Sequence, residues 1–454
     1  MSANFFSKNI KILILMFISV IVVNCSNDDV VTKPVLLVTG AFSDYETVEI
    51  DQDSDTQIIV VKGENLSAGI SISVTGDFII SFDDLNYSNS LQISKEDAIN
   101  STKVYTRMRP SKEGDITSVL TIKSEGATDK VFNLEGNGIL LAYRYTTFNK
   151  AHLGFGGGLN QALEKTFTLQ DDMSNIDKIT MFVKLDCPTG GCNAWDVFAH
   201  IQVRDVDSNE WYEIGRYITP YGVDNHQLDR GFEIDVTDFK SLLRGNVELR
   251  AYIEVWGSDG WELSVDFDYQ IGTPDYEYYA ISKVIQFNRN SLEGVPYGVD
   301  ASTFDLTKSI TIPENSKSTH LRTIITGWGH ATPSDANGRP CAEWCFRTHD
   351  VLIDQVNTFQ HKMEPIGCSS NIVSPQGGNW TPDRAGWCPG MAVPVRIDKF
   401  TTTMSGVTFN FEYDFEDWTA DGGSTSGTSG AYYAISTFIV VKSETVINKP
   451  IIVE

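Results

Sequence analysis

Basic residues are scarce in this sequence of 454 residues, which has 35 lysines and arginines against 60 aspartates and glutamates and a formal net charge of -25. Such an excess of negative charge repels phosphate backbones and anionic lipid headgroups. Histidine is scarce too, and the seven histidines are scattered without the spacing of metal ligands. We therefore expect no nucleic acid partner, no anionic membrane surface as a partner, and no metal or other cofactor.

The sequence also lacks a hydrophobic run that could span a bilayer. The apolar run at residues 12–23 is shorter than the roughly 20 residues that a spanning helix needs. It follows two lysines and ends just before Cys25, which is typical of a bacterial lipoprotein signal. We predict a signal over residues 1–25, a lipid anchor on Cys25 and a tether over residues 26–34. The protein would then be exported as an outer-membrane or cell-surface lipoprotein; an ordinary cleaved signal, giving a secreted protein, is the alternative.

Cysteines are few but even in number, because six remain once Cys25 is set aside. An even number in an exported chain argues for disulfides, and the spacings fit zinc poorly because zinc sites favour cysteine pairs separated by two residues. Several pairings are possible. Sequence order favours Cys187 with Cys192, Cys341 with Cys345, and Cys368 with Cys388.

The first part of the chain has the pattern of a β-sandwich. Residues 104–109 alternate between apolar and polar side chains before Pro110, and residues 120–123 do so before Gly126. Period-two runs separated by turn residues at this spacing are typical of sandwich folds. We predict an Ig-like module over residues 35–140, with a spacer or binding role.

The composition changes after residue 141, because all nine tryptophans and the six remaining cysteines follow it. Residues 238–243 have the pattern of a short helix, and the turn signal GTPD at 272–275 predicts a joint between two β domains, 141–275 and 276–454. The fold class is therefore all-β. The strand-like runs of this part are at residues 179–183, 198–203, 247–256 and 263–267.

Three carboxylates have tryptophan neighbours, and two of them lie beside tight cysteine loops. The pairs are Trp195 with Asp196, Glu254 with Trp256, and Glu343 with Trp344. Sugar rings stack on indole, and burial beside an indole raises the pKa of a carboxyl, so that one acid can donate a proton while another stays ionised. The pattern predicts hydrolysis of a glycan but does not separate a glycosidic C–O bond from a glycan–protein C–N bond. Buried tryptophans with solvated acids in a sandwich core are the structural alternative.

Residues from about 141 to 450 resemble the peptide-N-glycosidase F family of bacterial asparagine amidases. The resemblance rests on long, specific strings spread over this whole part of the chain. They are WYEIGR at 211–216, EIDVTDFKSLL at 233–243, SVDFD at 264–268, GTPDY at 272–276, GWGHA at 327–331, CAEWCFRTH at 341–349 and PDRAGWCPGMAVP at 382–394.

The resemblance implies two eight-stranded jelly-roll sandwiches side by side, with the site at their junction. It implies hydrolysis of the β-aspartylglucosaminyl amide bond of N-glycoproteins and glycopeptides with a chitobiose core. The intact glycan leaves as a glycosylamine, asparagine becomes aspartate, and the family needs no metal. We expect a monomer. A surface glycan-binding lectin or adhesin without catalysis is the alternative, although a lectin does not need three acids.

The resemblance also assigns roles to single residues. Asp196 and Glu343 are the implied catalytic residues, and Glu254 is a supporting acid. Val197 stands where the best-known member of the family has an arginine, and Asn193 and Ala194 replace two acids, so we expect a less charged pocket near the first sugar. The resemblance implies Trp328, Trp344, Trp387 and Arg384 as substrate-binding residues, and we predict the same role for Trp256 and Val197.

Overall fold

The computed structural model describes residues 33–287, 295–296, 306–334, 340–416 and 432–453, without the side chains of 295–296, 330–334 and 340–341. The predicted signal, its Cys25 and most of the tether lie outside this part of the chain. The chain divides into two compact units, Met1–Ile139 and Leu140–Glu454. No helix in the described residues is long and apolar enough to span a membrane.

The first unit is a β-sandwich. One sheet has the strand order β1-β3-β7-β5 and the other β2-β9-β8-β4-β6. Burial alternates along β3 and β8, so that Ile59, Val61, Leu120 and Ile122 face the core between the sheets. The strands are β1 (Val35–Thr39), β2 (Thr47–Glu49), β3 (Gln57–Glu64), β4 (Ile70–Val74), β5 (Phe78–Ser81), β6 (Ser90–Ile93), β7 (Thr102–Met108), β8 (Gly114–Lys123) and β9 (Lys130–Ile139).

The second unit begins with another sandwich. One sheet has the order β10-β18-β13-β16, with β11 also paired to β18, and the other has the order β12-β17-β14-β15. Counting β10 and β11 as one interrupted strand gives the eight strands expected of the first jelly roll. They are β10 (Ala142–Thr146), β11 (Ala151–Leu153), β12 (Ala162–Thr168), β13 (Ile176–Asp186), β14 (Phe198–Asp205), β15 (Glu210–Ile218), β16 (Phe232–Asp235), β17 (Asn246–Ile253) and β18 (Trp261–Ile271).

The same unit contains a second jelly roll. Its sheets have the orders β19-β30-β22-β28, with β20 also on β30, and β26-β25-β29-β21-β31, while β23 pairs with β24 and β27 extends the first sandwich beside β15. The strands are β19 (Tyr278–Phe287), β20 (Val295–Pro296), β21 (Leu306–Thr311), β22 (Ser318–Trp328), β23 (His330–Ser334), β24 (Pro340–Ala342), β25 (Thr348–Ile353), β26 (Val356–Lys362), β27 (Met391–Ala392), β28 (Arg396–Lys399), β29 (Thr408–Asp414), β30 (Tyr432–Ser443) and β31 (Ile451–Val453).

A buried polar seam joins the two jelly rolls. Strands β15, β22 and β30 are buried along nearly their whole length, because each packs on both faces. Arg216 of β15 binds Glu213 through two hydrogen bonds of 2.7 and 2.8 Å and donates to Thr326 Oγ1 and the Ala434 carbonyl across the seam. Ser436 donates to Glu213 at 2.5 Å. The seam fixes one sandwich against the other, so loops from both can form a precise site.

The predicted helix at residues 238–243 is wrong: a one-turn 3-10 helix at Thr237–Phe239 takes its place. Asp238 is held from the second sandwich by His320 at 3.1 Å and Arg322 at 3.2 Å, and Lys240 donates to the Ile176 carbonyl. These tertiary contacts override the local preference for a helix. A second 3-10 turn spans Cys368–Ser370.

Candidate active site

Asp196 lies in the loop that connects β13 with β14. The Cys187–Cys192 disulfide closes the first half of that loop. In the second half, Asn193 Oδ1 accepts from the Trp195 backbone N–H at 3.1 Å, and Val197 and Thr219 exchange two hydrogen bonds. Both sides of Asp196 are therefore fixed, as a catalytic carboxylate requires.

Glu343 comes from the other sandwich, between β24 and β25. Its backbone N–H donates to the Gly329 carbonyl, and its carbonyl accepts from the Ala385 N–H at 2.8 Å. Gly327 permits this approach, because a Cβ added there would lie 2.3 Å from the Ala342 carbonyl oxygen. Glu343 as a whole residue is 8% exposed.

Arg384 connects these two acids. Its Nε lies 3.2 Å from Glu343 Oε1, and its Nη2 lies 3.7 Å from Asp196 Oδ2. The guanidinium also donates to the Tyr221 hydroxyl and to the carbonyls of Asn379 and Pro382. Arg384 is fully buried, so its planar fork holds Asp196 and Glu343, from different sandwiches, in one pocket.

Burial raises the pKa of Asp196 from 3.8 to about 7, and the negative charge of Glu343 acts in the same direction. The Tyr221 hydroxyl and the Arg384 guanidinium oppose the rise. Asp196 Oδ2 is buried with no hydrogen-bond partner within the described residues. A carboxyl in this setting changes protonation near neutral pH and has an oxygen free to take or give a proton.

Glu254 lies at the same end of the sandwiches. Its backbone N–H donates to the carbonyl of Phe198, two residues after Asp196. Its Oε2 accepts from the Tyr432 hydroxyl at 3.5 Å, and Tyr432 is the strand partner of Trp328. These contacts place Glu254 beside the start of β14, and its supporting role stays a prediction.

The predicted tryptophans divide into buried and exposed groups. Trp387 is fully buried, donates to the Gly327 carbonyl at 2.9 Å and stacks on Trp328 at 5.1 Å. The ring of Trp344 lies under the Arg384 guanidinium at 4.3 Å. Trp256 is 64% exposed. Trp387 therefore supports the pocket wall, while Trp256 presents its ring to solvent.

Val197 packs into the hydrophobic core of the first jelly roll and is 9% exposed. The structure gives it a packing role, so the predicted sugar contact stays a prediction. Asn193 donates to Asp259 at 2.8 Å, which uses its amide to join two loops. The less charged pocket expected near the first sugar stays a prediction.

Tyr221 is a site residue that the sequence analysis missed. Its ring lies 6.5 Å from that of Trp195, and its hydroxyl accepts from Arg384. Its backbone N–H and carbonyl are bound by Gln376 and Gly377 of the loop that the Cys368–Cys388 disulfide closes. No acid or tryptophan adjoins it in sequence, so only the fold could reveal it.

The predicted cysteine pairs Cys187–Cys192 and Cys368–Cys388 form disulfides. Cys345 is also disulfide-bonded, while the side chain of Cys341 lies outside the described part of the structure. In the described residues one group has the closeness of metal ligands: Cys368, Asp383 and Cys388. Its sulfurs are bonded to each other, and Asp383 accepts from the backbone N–H groups of residues 367 and 368. This group therefore does not suit a metal.

Comparisons with known proteins agree with this geometry. The family model described as peptide-N-glycosidase F, N terminal, matches residues 197–269, and the one described as peptide-N-glycosidase F, C terminal, matches residues 297–440. The chain is 53% identical over 308 residues to peptide-N(4)-(N-acetyl-beta-D-glucosaminyl)asparagine amidase F of Elizabethkingia miricola, over 67% of this chain and 85% of that one.

Solved structures show the same relation. PNGase F, described as a glycosylasparaginase from Flavobacterium meningosepticum, is 52% identical with a TM-score of 0.65, over 69% of this chain and 99% of that one. PNGF-II shares the fold at 11% identity and a TM-score of 0.54, over 84% of this chain and 99% of that one. The predicted fold class is confirmed, and the chain belongs to the peptide-N-glycosidase F family.

Proposed function

We propose that this protein hydrolyses the amide bond between asparagine and the first sugar of N-glycoproteins and glycopeptides. The observation that carries the proposal is the Arg384 fork, which holds Asp196 and Glu343 from two sandwiches in one buried pocket. Family membership gives the reaction class, because the name of the related amidase describes an amidase of N-acetyl-beta-D-glucosaminyl asparagine.

The chemistry needs a base for water and an acid for the leaving nitrogen. Ionised Asp196 takes a proton from a water molecule, and the oxygen of that water attacks the side-chain amide carbon of asparagine. The same carboxyl then gives the proton to the glycosylamine nitrogen as the C–N bond breaks. A pKa of about 7 suits both steps near neutral pH.

Glu343 and Arg384 set the charge around Asp196. The Glu343 carboxylate favours the protonated form of Asp196, and the Arg384 guanidinium stabilises the ionised form. Glu254 assists from the pocket edge, where Tyr432 orients it. The products are aspartate in the peptide and the intact glycan as a 1-amino sugar, which later loses ammonia.

The test is to incubate the protein with a denatured N-glycoprotein and weigh the peptide product. Amidase action converts asparagine to aspartate, which adds about one mass unit to the peptide. Asp196→Asn should lose roughly 10²–10⁴-fold in kcat/KM while remaining folded, because only the proton acceptor is removed. A peptide that keeps one sugar would indicate an endoglycosidase, and an unchanged glycopeptide that stays bound would indicate a lectin.

We also propose that the protein is exported as a surface lipoprotein anchored at Cys25 and acts as a monomer. The support is the sequence pattern of residues 1–25 alone. Metabolic labelling with a palmitate analogue should mark the native protein and not a Cys25→Ser variant. Equal labelling of the two, or none of the native protein, would refute the anchor, and light scattering of the purified protein checks the monomer.

A further inference from the structure

Two loops of the first jelly roll present an exposed aromatic pair beside the site. Phe155 lies in the loop between β11 and β12, and Trp256 lies in the loop between β17 and β18, two residues after Glu254. Their ring centroids are 5.1 Å apart at an interplanar angle of 61°. Phe155 is 48% exposed and Trp256 is 64% exposed. Burial therefore does not explain why two large rings are paired here.

The pair is held by a frame of backbone hydrogen bonds. The Phe155 N–H donates to the Gly257 carbonyl at 2.8 Å, and the Gly154 N–H donates to the Asn160 carbonyl. Gln161 donates to the Val255 carbonyl at 2.7 Å. The three glycines that follow Phe155 all have positive φ and open space at Cβ, so the loop turns tightly here and adds no side chains of its own at these positions.

The same frame reaches the Asp196 loop. Asn193, three residues before Asp196, donates to Asp259 Oδ1 at 2.8 Å. A Cβ added at Gly257 would lie 3.4 Å from the Asn193 amide nitrogen. The exposed Trp256 ring is thus tied to the loop that bears Asp196, at the rim of the pocket.

The chemistry of the pair favours a sugar over a polypeptide. An extended peptide needs free backbone donors and acceptors, whereas the Phe155 N–H, the Val255 carbonyl and the Asp259 carbonyl are already bonded within the frame. What the pair offers is ring surface, on which the C–H face of a sugar packs. The sugar linked to asparagine must place its C–N bond at the buried Asp196, so the ring on the rim meets a later sugar.

We propose that Phe155 is a positioning residue that holds the Trp256 indole against a sugar of the N-glycan beyond the one linked to asparagine. The proposal rests on the function proposed above and assigns part of its glycan specificity to Phe155. An edge-to-face aromatic pair favours one relative orientation of its two rings, and its contribution here is to keep the indole in that orientation before the glycan arrives.

The test measures binding in the Asp196→Asn background, by calorimetry with glycopeptides that carry one sugar, the chitobiose disaccharide, or the pentasaccharide core. We expect Phe155→Ala to weaken the Kd of the pentasaccharide glycopeptide roughly 3- to 10-fold and that of the one-sugar glycopeptide less than about 2-fold. Phe155→Tyr should restore binding, because it keeps the ring. In the active enzyme, Phe155→Ala should raise KM and leave kcat unchanged.

A double-mutant cycle separates positioning from a direct contact. Once Trp256→Ala is present, Phe155→Ala should weaken binding little further. Val206→Ala is the matched control, since Val206 is 78% exposed in the β14–β15 turn and should have no effect. Equal losses on all glycan lengths, no loss on any, or additive losses in the double variant would overturn the inference alone. If the Asp196→Asn protein with Phe155 intact bound none of the glycopeptides, the proposed function would fail and this inference with it.

Discussion

Asp196 is held where its charge costs folding free energy. Its pKa is 3.8 in ordinary surroundings and about 7 in the folded protein, so between these values the folded state binds more protons than the unfolded one. Stability therefore falls as pH rises through this window and stays reduced above it. This loss of folding free energy accompanies a carboxyl whose pKa lies near neutral pH, which the proposed proton transfer requires.

We predict that Asp196→Asn raises the melting temperature at about pH 8 and leaves it unchanged below about pH 4. The neutral amide removes the buried charge, and the gain should be roughly 4 kcal/mol, because the pKa of Asp196 rises from 3.8 to about 7 on folding and each pKa unit corresponds to about 1.4 kcal/mol. Thermal unfolding of both proteins across this range checks it. A constant difference at all pH values would show that burial of the charge is not the cause.

Tyr221 should tune the pH at which the enzyme works. Its hydroxyl acts to lower the pKa of Asp196, against the rise due to burial. Tyr221→Phe should therefore move the acidic limb of the kcat/KM profile to higher pH, and a loss of roughly 10-fold near neutral pH would follow from a shift of about one unit. A profile that only drops in height would contradict the assignment.

At this scale the sequence could predict the acids but not their arrangement. Asp196 and Glu343 each have an adjacent tryptophan and Glu254 has one two residues away, and this pattern indicates a site. Tyr221 has no such neighbour and joins the site through tertiary contacts, among them the hydrogen bond that its hydroxyl accepts from Arg384 and its effect on the pKa of Asp196. The packing of Val197 could not be predicted either. Val197 lies in the loop before β14, and its backbone is fixed by a hydrogen bond to Thr219 Oγ1, a tertiary contact that the sequence does not show.

At the scale of elements, the Cys368–Cys388 loop determines how the pocket is built. Gln376 and Gly377 bind the backbone of Tyr221, and the Asn379 carbonyl accepts from Arg384. A disulfide with a sequence separation of 20 stabilises by roughly 3 kcal/mol in the chain-entropy account.

We expect the double variant Cys368→Ala, Cys388→Ala to lose melting temperature and kcat together, because the loop no longer holds Tyr221 and Arg384. Kinetics and thermal unfolding in the same buffer give both quantities. Cys187→Ala with Cys192→Ala is a comparison rather than a neutral control, because that disulfide closes the loop that bears Asp196 and its loss should also lower kcat. Unchanged kcat with lowered stability would mean that the loop position does not depend on the disulfide.

The buried Glu213–Arg216 pair of the seam should matter for the stability of the protein. Glu213→Gln leaves the fully buried Arg216 without its partner charge, which should cost about 3 kcal/mol or more. Glu248→Gln is the control, since its pair with Arg204 is about one-third exposed and should cost less than about 1 kcal/mol. Chemical denaturation of the three proteins checks the ranking, and similar costs for the two variants would refute a structural role for the seam.

Strands were predictable because period-two patterning reflects one buried face. Predicted runs at 198–203 and 263–267 fall inside β14 and β18. The run at 247–256 was predicted too long, since β17 ends at Ile253, where the chain turns to place Glu254 at the pocket edge. Strands buried on both faces, such as β30, are harder to predict from sequence because apolar and polar residues do not alternate along them.

At the scale of the whole molecule, the two units predict a separable enzyme. Leu141 already accepts a hydrogen bond from Ile271, and the first unit ends at Ile139. A chain that starts at Leu140 should fold and keep kcat/KM on short glycopeptides within about 2-fold, since every site residue belongs to the second unit. Circular dichroism and steady-state kinetics would test it, and a folded but inactive truncation would show that the first unit helps to form the site.

Strand β30 has a consequence for when the enzyme becomes active. It lies between β19 and β22 and supplies Tyr432 to Glu254, Ala434 to Arg216 and Ser436 to Glu213. It also follows all three acids in chain order, so they leave the ribosome before the strand that sets their geometry. A chain during synthesis therefore carries all three acids before the strand that sets their geometry is in place. We therefore expect amidase activity only after β30 has been synthesised and has paired with β19 and β22.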